Sequence, residues 1–158
     1  MPKNPRNPPT PRTVDIVAFP DVTLLDVAGP LQVFASANEW ATRHHEPRPY
    51  HARVVAETGM VTSSAGLVLM AEQLSRPDRP IDTLMVTGGP GTFAAANSAG
   101  LVRWLRTRAG HTRRISSVCT GAFILAAAGL LDGRRAVTHW DWCDELARRF
   151  PKERVETD

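Results

Sequence analysis

The sequence predicts an α/β fold, a mostly parallel sheet with helices on both faces, and three observations carry that prediction. From residue 14 onward, short β-branched or apolar runs alternate with stretches of helical periodicity. Parallel strands need such crossovers, because each must start again at the same edge of the sheet. Two runs end directly in turns rich in small residues, TGGPG at 87–91 and VCTGA at 118–122. Those turns fall where open α/β sheets bind ligands, beyond the carboxyl ends of the strands.

Taken in order, residues 1–12, MPKNPRNPPTPR, hold five prolines and three basic residues without apolar periodicity. They predict a disordered or extended arm, with the domain proper over 13–158. Lys3, Arg6 and Arg12 would suit a nucleic-acid contact, but the composition favours a solvated leader. VDIVAFP is the first strand and stops at Pro20. LLDVAGPLQVFASANEWATRH reads as a helix with Leu31, Phe34, Ala35 and Ala41 on its apolar side and Pro30 in its first turn. YHARVVAE is the second strand. MVTSSAGLVLMAE is a small hairpin around Ser64, Ala65 and Gly66, an antiparallel excursion of the sheet. IDTLMVTGGPGTF is a buried strand, Leu84 to Thr87, running into a glycine-rich turn. AGLVRWLRTRAG is an amphipathic helix, RRISSV the next strand and GAFILAAAG the next helix. GRRAVTHW gives a short strand, and DWCDELARRF a helix ended by Pro151.

Composition narrows the functional classes. With 158 residues, 42% hydrophobic and 22% charged, the chain suits one domain with a real core. Two cysteines make no disulfide framework and point to a reducing compartment. No apolar run approaches the ~20 residues of a membrane span, and the N-terminus lacks the apolar core of a signal peptide. A soluble cytoplasmic protein without a membrane partner is expected. The net charge of +3 is mild and its arginines are scattered, the pattern of an arginine-rich soluble protein. The pair His44 and His45 has no cysteine or carboxylate arranged as further zinc ligands, so no metal is expected. VTGGPG lacks both the Lys-Ser/Thr of a phosphate loop and the third glycine of a dinucleotide fingerprint, and no cofactor is expected either.

The chemistry centres on Cys119. A strand ends at Val118 and a helix starts near Gly121, leaving only Cys119 and Thr120 for the turn. So sharp a strand-to-helix turn is a nucleophile elbow with cysteine in place of serine. A thiol at a helix N-terminus faces unpaired N–H groups, so a lowered pKa and a reactive thiolate are expected. The competing reading is a buried cysteine acting as a small apolar residue. Cys143, inside DWCDELARRF, lacks any such context and reads as structural.

Three motifs, FPDVTLLDVAGPLQVFASAN, VTGGPG and SVCTGAFILAAAGLLDGRRAVTHW, resemble the ThiJ/PfpI superfamily from about residue 13 to the end. The resemblance implies a class I glutamine amidotransferase-like fold, a flavodoxin-like or Rossmann-like three-layer sandwich. It is strongest to the N-terminal domain of AraC-type transcriptional regulators and extends to isonitrile hydratases. It implies that Cys119 is the elbow cysteine and that Asp26 hydrogen-bonds its sulfur, where a protonated acid would donate to a thiolate or shuttle a proton. Asp26 also suits a plain helix-start role. Gly88 and Gly89 match the paired glycines, whose amides with that of Thr120 would form an oxyanion-type pocket, with Pro90 beside them. Thr120 stands where the protease-like branch has histidine, which argues against peptidase activity. In isonitrile hydratases this threonine belongs to the site. His139 matches a pocket histidine, either orienting the thiol or serving as a structural residue.

The resemblance further implies that family members continue beyond ERVETD with a strand and a long helix, and regulators with two helix-turn-helix units. A shortened C-terminal part is therefore expected, with an exposed sheet edge that favours a homodimer. No helix-turn-helix is found in the chain, so DNA would be reached only through a separate domain. Two functions remain open: a small-molecule sensing and dimerisation domain of an AraC-type regulator, or a cysteine-dependent hydratase of the isonitrile type. Oxidation sensing at Cys119 is a third.

Overall fold

The computed structural model describes residues 10–74 and 80–157, so Lys3 and Arg6 lie outside the described residues. The strand β1 (Arg12–Val17) leads into the helix α1 (Leu24–Arg43), then β2 (Tyr50–Ala56) and the hairpin of β3 (Met60–Thr62) and β4 (Val68–Met70). Next come β5 (Glu72–Gln73), β6 (Ile81–Val86), α2 (Thr92–Ala96), α3 (Ala99–Ala109) and β7 (Thr112–Ser117). The chain continues through α4 (Ala122–Ala127), β8 (Arg135–Ala136), α5 (Cys143–Arg149) and β9 (Arg154–Val155). Single 3-10 turns, Cys119–Gly121 and Trp140–Trp142, precede α4 and α5.

Five strands form one parallel sheet in the order β5-β2-β1-β6-β7. From β1 the chain steps outward to β2, and from β6 it steps the opposite way to β7. Crossovers between parallel strands are right-handed, so α1 and α3 cover opposite faces. The reversal falls between β1 and β6, the place where doubly wound sheets collect ligand-binding loops. Ile16 and Val17 point to opposite faces and both are fully buried. That two-sided burial explains why the central strands read as continuous apolar runs. Among the described residues no helix is long and apolar enough to cross a membrane.

Within β1 one charge is buried. Asp15 is fully enclosed and takes two bonds from Arg53 on β2, at 2.6 and 3.2 Å. Arg53 extends to Glu72 on β5 at 2.7 Å, so one guanidinium ties three strands. Removing one partner of such a pair strands the other charge in the interior. Asp15→Ala is therefore expected to cost about 3–5 kcal/mol in urea unfolding. Asp82→Ala, which breaks the more exposed pair with Arg113, should cost no more than about 1 kcal/mol.

Several elements differ from the sequence expectation. β1 opens at Arg12, placed in the arm by composition, and the Arg12 amide donates to Pro49 O at 2.9 Å. Pro30 is the seventh residue of α1 rather than part of its first turn. The helix starts earlier because the Thr23 amide is fixed by Gly88 O at 2.9 Å, and Asp26 N then donates to Thr23 O at 3.0 Å. Ala35 is exposed, whereas Phe34 packs edge-on against Tyr50 at 4.9 Å. The hairpin makes its own two-stranded sheet, tied to the site loop by Ser64 N donating to Val22 O at 2.9 Å. Likewise β8 pairs in parallel with β9 in a separate ribbon.

A second, smaller core joins α4 to the C-terminal elements through Phe123, Ala126 and Leu146, with Phe93, Phe150 and Val155 against them. Close by, Glu153 is buried and neither carboxyl oxygen has a hydrogen-bond partner among the described residues. Burial, and secondarily the charge of Asp132, push its pKa up to about 7. The folded protein thus holds a proton that the unfolded chain releases near pH 4.5. The stabilising contribution is complete below that pH and is lost as pH rises through about 7. Chemical denaturation should show stability falling across this window by up to about 3 kcal/mol, and Glu153→Gln should flatten the slope.

Candidate functional site

The site is built where three strand ends meet. After β7 the backbone is still extended at Val118, with φ −120° and ψ 152°, and Cys119 then turns it at φ +51°. Few non-glycine residues accept the left-handed region, so the thiol sits on a strained bend. The bend is possible because α4 begins hard against the end of β6. A Cβ at Gly121 would lie 2.4 Å from Val86 O and 2.6 Å from Thr87 O. Behind the bend, α4 buries Ala122, Phe123, Ile124, Leu125 and Ala126 in succession, which accounts for its all-round apolar sequence.

Asp26, in the first turn of α1, links the three ends. Its Oδ2 accepts the Gly88 amide of the β6 turn at 3.0 Å, and its carboxyl is close enough to Cys119 to raise the thiol pKa. Thr120, the next residue of the turn, lowers the thiol pKa through its amide and hydroxyl. The balance differs from the sequence expectation of a low-pKa thiolate. Burial, the largest influence, raises the Cys119 pKa, and the Asp26 charge and hydrogen bond raise it further, against the Thr120 donors that lower it. Desolvation prevails because α4 has six residues and enters through a 3-10 turn, so little helix dipole reaches the sulfur. Burial and the neighbouring Asp26 thus favour the thiol form of Cys119.

The paired glycines also depart from expectation. Gly88 N is engaged by Asp26, and Gly89 N, at φ +142°, donates to Thr120 Oγ1 at 3.0 Å. Neither amide is left to stabilise charge on a ligand. Both instead hold Asp26 and Thr120, the two side chains that act on the Cys119 pKa.

In front of Cys119 opens a cavity of about 420 Å³ lined by Thr23, Gly89, Pro90, Phe93, Cys119, Thr120, His139 and Trp142. Gly88 and Asp26 stand behind this wall. His139 lines the cavity, but its Nδ1 accepts the Asp141 amide at 3.3 Å and its ring lies 4.0 Å from that of Trp140. It thus caps the Trp140–Trp142 turn, and the link to the elbow runs through Thr138, whose hydroxyl donates to Cys119 O at 3.1 Å. Thr23, Phe93 and Trp142 were missed by sequence reasoning. The aromatics in GTF and THWDW, next to the site motifs, were the available signal. Phe93 and Trp142 rings lie 5.2 Å apart and form an apolar wall.

The remaining candidates lie apart. His44 caps the end of α1, with Nδ1 2.8 Å from Trp40 O and its ring stacked on Trp40. Among the described residues no cluster of three potential metal ligands occurs. Cys143 is buried, 3.8 Å from His139 O and 3.9 Å from Glu156 O, and both cysteines are free.

A doubly wound parallel sheet with a strained cysteine at a strand-to-helix turn, backed by a carboxyl from the first crossover, defines a thiol-elbow α/β domain. The chain belongs to the DJ-1/PfpI family, whose model matches residues 12–158. It is 41% identical over 145 residues to a Streptomyces lividans protein described as an uncharacterized protein in the cpoL 5′ region, covering 89% of this chain and 96% of that one. It is 35% identical to the isonitrile hydratase of Pseudomonas putida, covering 84% of this chain and 54% of the enzyme. It is 27% identical to the HTH-type transcriptional regulator GbdR of Pseudomonas aeruginosa, covering 99% of this chain and 41% of the regulator. The chain thus spans about half or less of the enzyme and the regulator. A crystal structure of a ThiJ/PfpI family protein from Pseudomonas syringae superposes with a TM-score of 0.80 at 31% identity, covering 99% of this chain and 61% of that one.

Proposed function

We propose that the chain is a small-molecule sensing and dimerisation domain of an AraC-type regulator, with the cavity at Cys119 as its ligand pocket and DNA contacted through a separate domain. The observation that carries this reading is the cavity of about 420 Å³ in front of Cys119, walled by Phe93 and Trp142 and held from behind by the Gly88–Asp26 and Gly89–Thr120 hydrogen bonds. The HTH-type relatives support the regulatory context. Exposed apolar side chains on α1 (Leu25, Val33, Trp40) and the hairpin (Met60, Val68, Met70) support a homodimer. Free cysteines suit the cytoplasm.

The second reading, a cysteine-dependent hydratase, is favoured by the thiol–carboxyl pair and by the isonitrile hydratase relative. In it the Cys119 sulfur bonds to the terminal carbon of an isonitrile, the thiol proton passes through Asp26 to that carbon, and water then releases a formamide and restores the thiol.

One experiment separates the readings. The protein is incubated with tert-butyl isonitrile while binding is followed by thermal shift and product by NMR. Saturable stabilisation without formamide supports sensing, and formamide lost in Cys119→Ser supports the hydratase. Neither signal, with Cys119 alkylating no faster than buried Cys143, would overturn both. Sedimentation tests the dimer, which Trp40→Glu is expected to dissociate if α1 forms the interface.

A further inference from the structure

Thr92 opens α2 and is fully buried, with its amide donating to Gly89 O at 3.0 Å. Its hydroxyl oxygen lies 2.8 Å from that of Thr120, which also accepts the Gly89 amide at 3.0 Å. Each hydroxyl has one proton to give. If Thr120 gave its proton to Thr92, the Thr92 proton would be left in a dry interior with no acceptor among the described residues. Leaving a buried donor unpaired is the costly outcome. If Thr92 gives its proton to Thr120, the Thr92 proton is used and the Thr120 proton is left for the neighbouring Cys119 sulfur, whose pKa the Thr120 side chain lowers.

We propose that Thr92 is a positioning residue: its hydroxyl donates to Thr120 Oγ1 and thereby turns the Thr120 O–H toward the Cys119 sulfur. Gly89 N fills the other lone pair of Thr120 Oγ1, so the hydroxyl has a single direction left. Thr92 does not line the cavity. Its effect on the thiol passes through Thr120 alone. This inference rests on the reading of Cys119 as the working group of the pocket.

The test is the pH dependence of Cys119 alkylation by iodoacetamide, followed by peptide mass spectrometry in the full chain. Thr92→Val keeps shape and removes the hydroxyl. Its profile is expected to move up by about one pH unit, a tenfold loss of rate at neutral pH. Thr120→Val should move it at least as far, and the double variant no further than Thr120→Val, because the two act in series. Thr92→Ser should restore the parent profile. If Thr92→Val unfolds, Thr92→Ala serves in its place, with thermal unfolding as the check. A Thr92→Val profile equal to the parent's beside a shifted Thr120→Val profile, additive shifts, or no rescue by serine would overturn the relay while leaving the pocket reading intact. No shift in any variant would overturn the relay together with the influence of Thr120 on the sulfur.

Discussion

Cys119→Ser is expected to slow covalent capture of small electrophiles at the elbow, and any turnover that runs through it, by at least about a thousandfold. The backbone at φ +51° is unchanged by the substitution, and the Thr120 donors keep an oxygen in place of sulfur. What is lost is the ease of ionisation. A thiol can pass its proton to Asp26 as an electrophile arrives, whereas a hydroxyl holds its proton many orders of magnitude more tightly. Stability should stay within about 1 kcal/mol of the parent, since no volume is created or removed beyond one atom. Intact-mass measurement after iodoacetamide treatment, beside thermal unfolding of both proteins, checks the two halves of this expectation.

Gly121→Ala is the substitution expected to damage the fold most for its size. A methyl there would meet Val86 O at 2.4 Å and Thr87 O at 2.6 Å, both backbone atoms at the end of a central strand. Neither side can retreat: β6 is paired on both edges, to β1 and β7, and α4 is buried over five successive residues. The helix must then lift off the sheet, at a cost of at least about 3 kcal/mol. For a chain of this size the melting temperature would fall by roughly 10 °C. Because Cys119 rides on the same bend, alkylation should lose its dependence on Asp26 as the stability falls. Circular dichroism on heating measures the first effect.

The sheet was legible in the sequence wherever burial is symmetric. VDIV and TLMV lie between neighbours on both edges and both faces, so they are mostly apolar β-formers, with Asp15 admitted only through its pairing with Arg53. The elbow was legible for a related reason: Cys119 and Gly121 stand at a turn that only small residues allow. Asp26 was reached through family likeness, since nothing in LLDVAGP alone separates a site carboxyl from a helix start. Through-space relations left no local trace. Gly88 is 62 residues from Asp26, and Gly89 is 31 residues from Thr120, so the capture of both amides was invisible in VTGGPG. The sign of the Cys119 shift was missed for the same reason, because solvent exclusion and the Asp26 charge depend on packing rather than on position along the chain. Thr92 after PG and Glu153 in PKERVE carry no local mark of their burial. Pro30 misled by its preference for first turns, where the Thr23–Gly88 bond starts the helix six residues sooner.

The most direct measurement for the thiol–carboxyl pair is the midpoint of Cys119 alkylation against pH, in the parent and in Asp26→Asn. The parent midpoint is expected above that of an exposed cysteine in a peptide, and a lower midpoint is expected in Asp26→Asn, where the neighbouring charge is gone. A parent midpoint below neutrality that rises in Asp26→Asn would contradict this expectation.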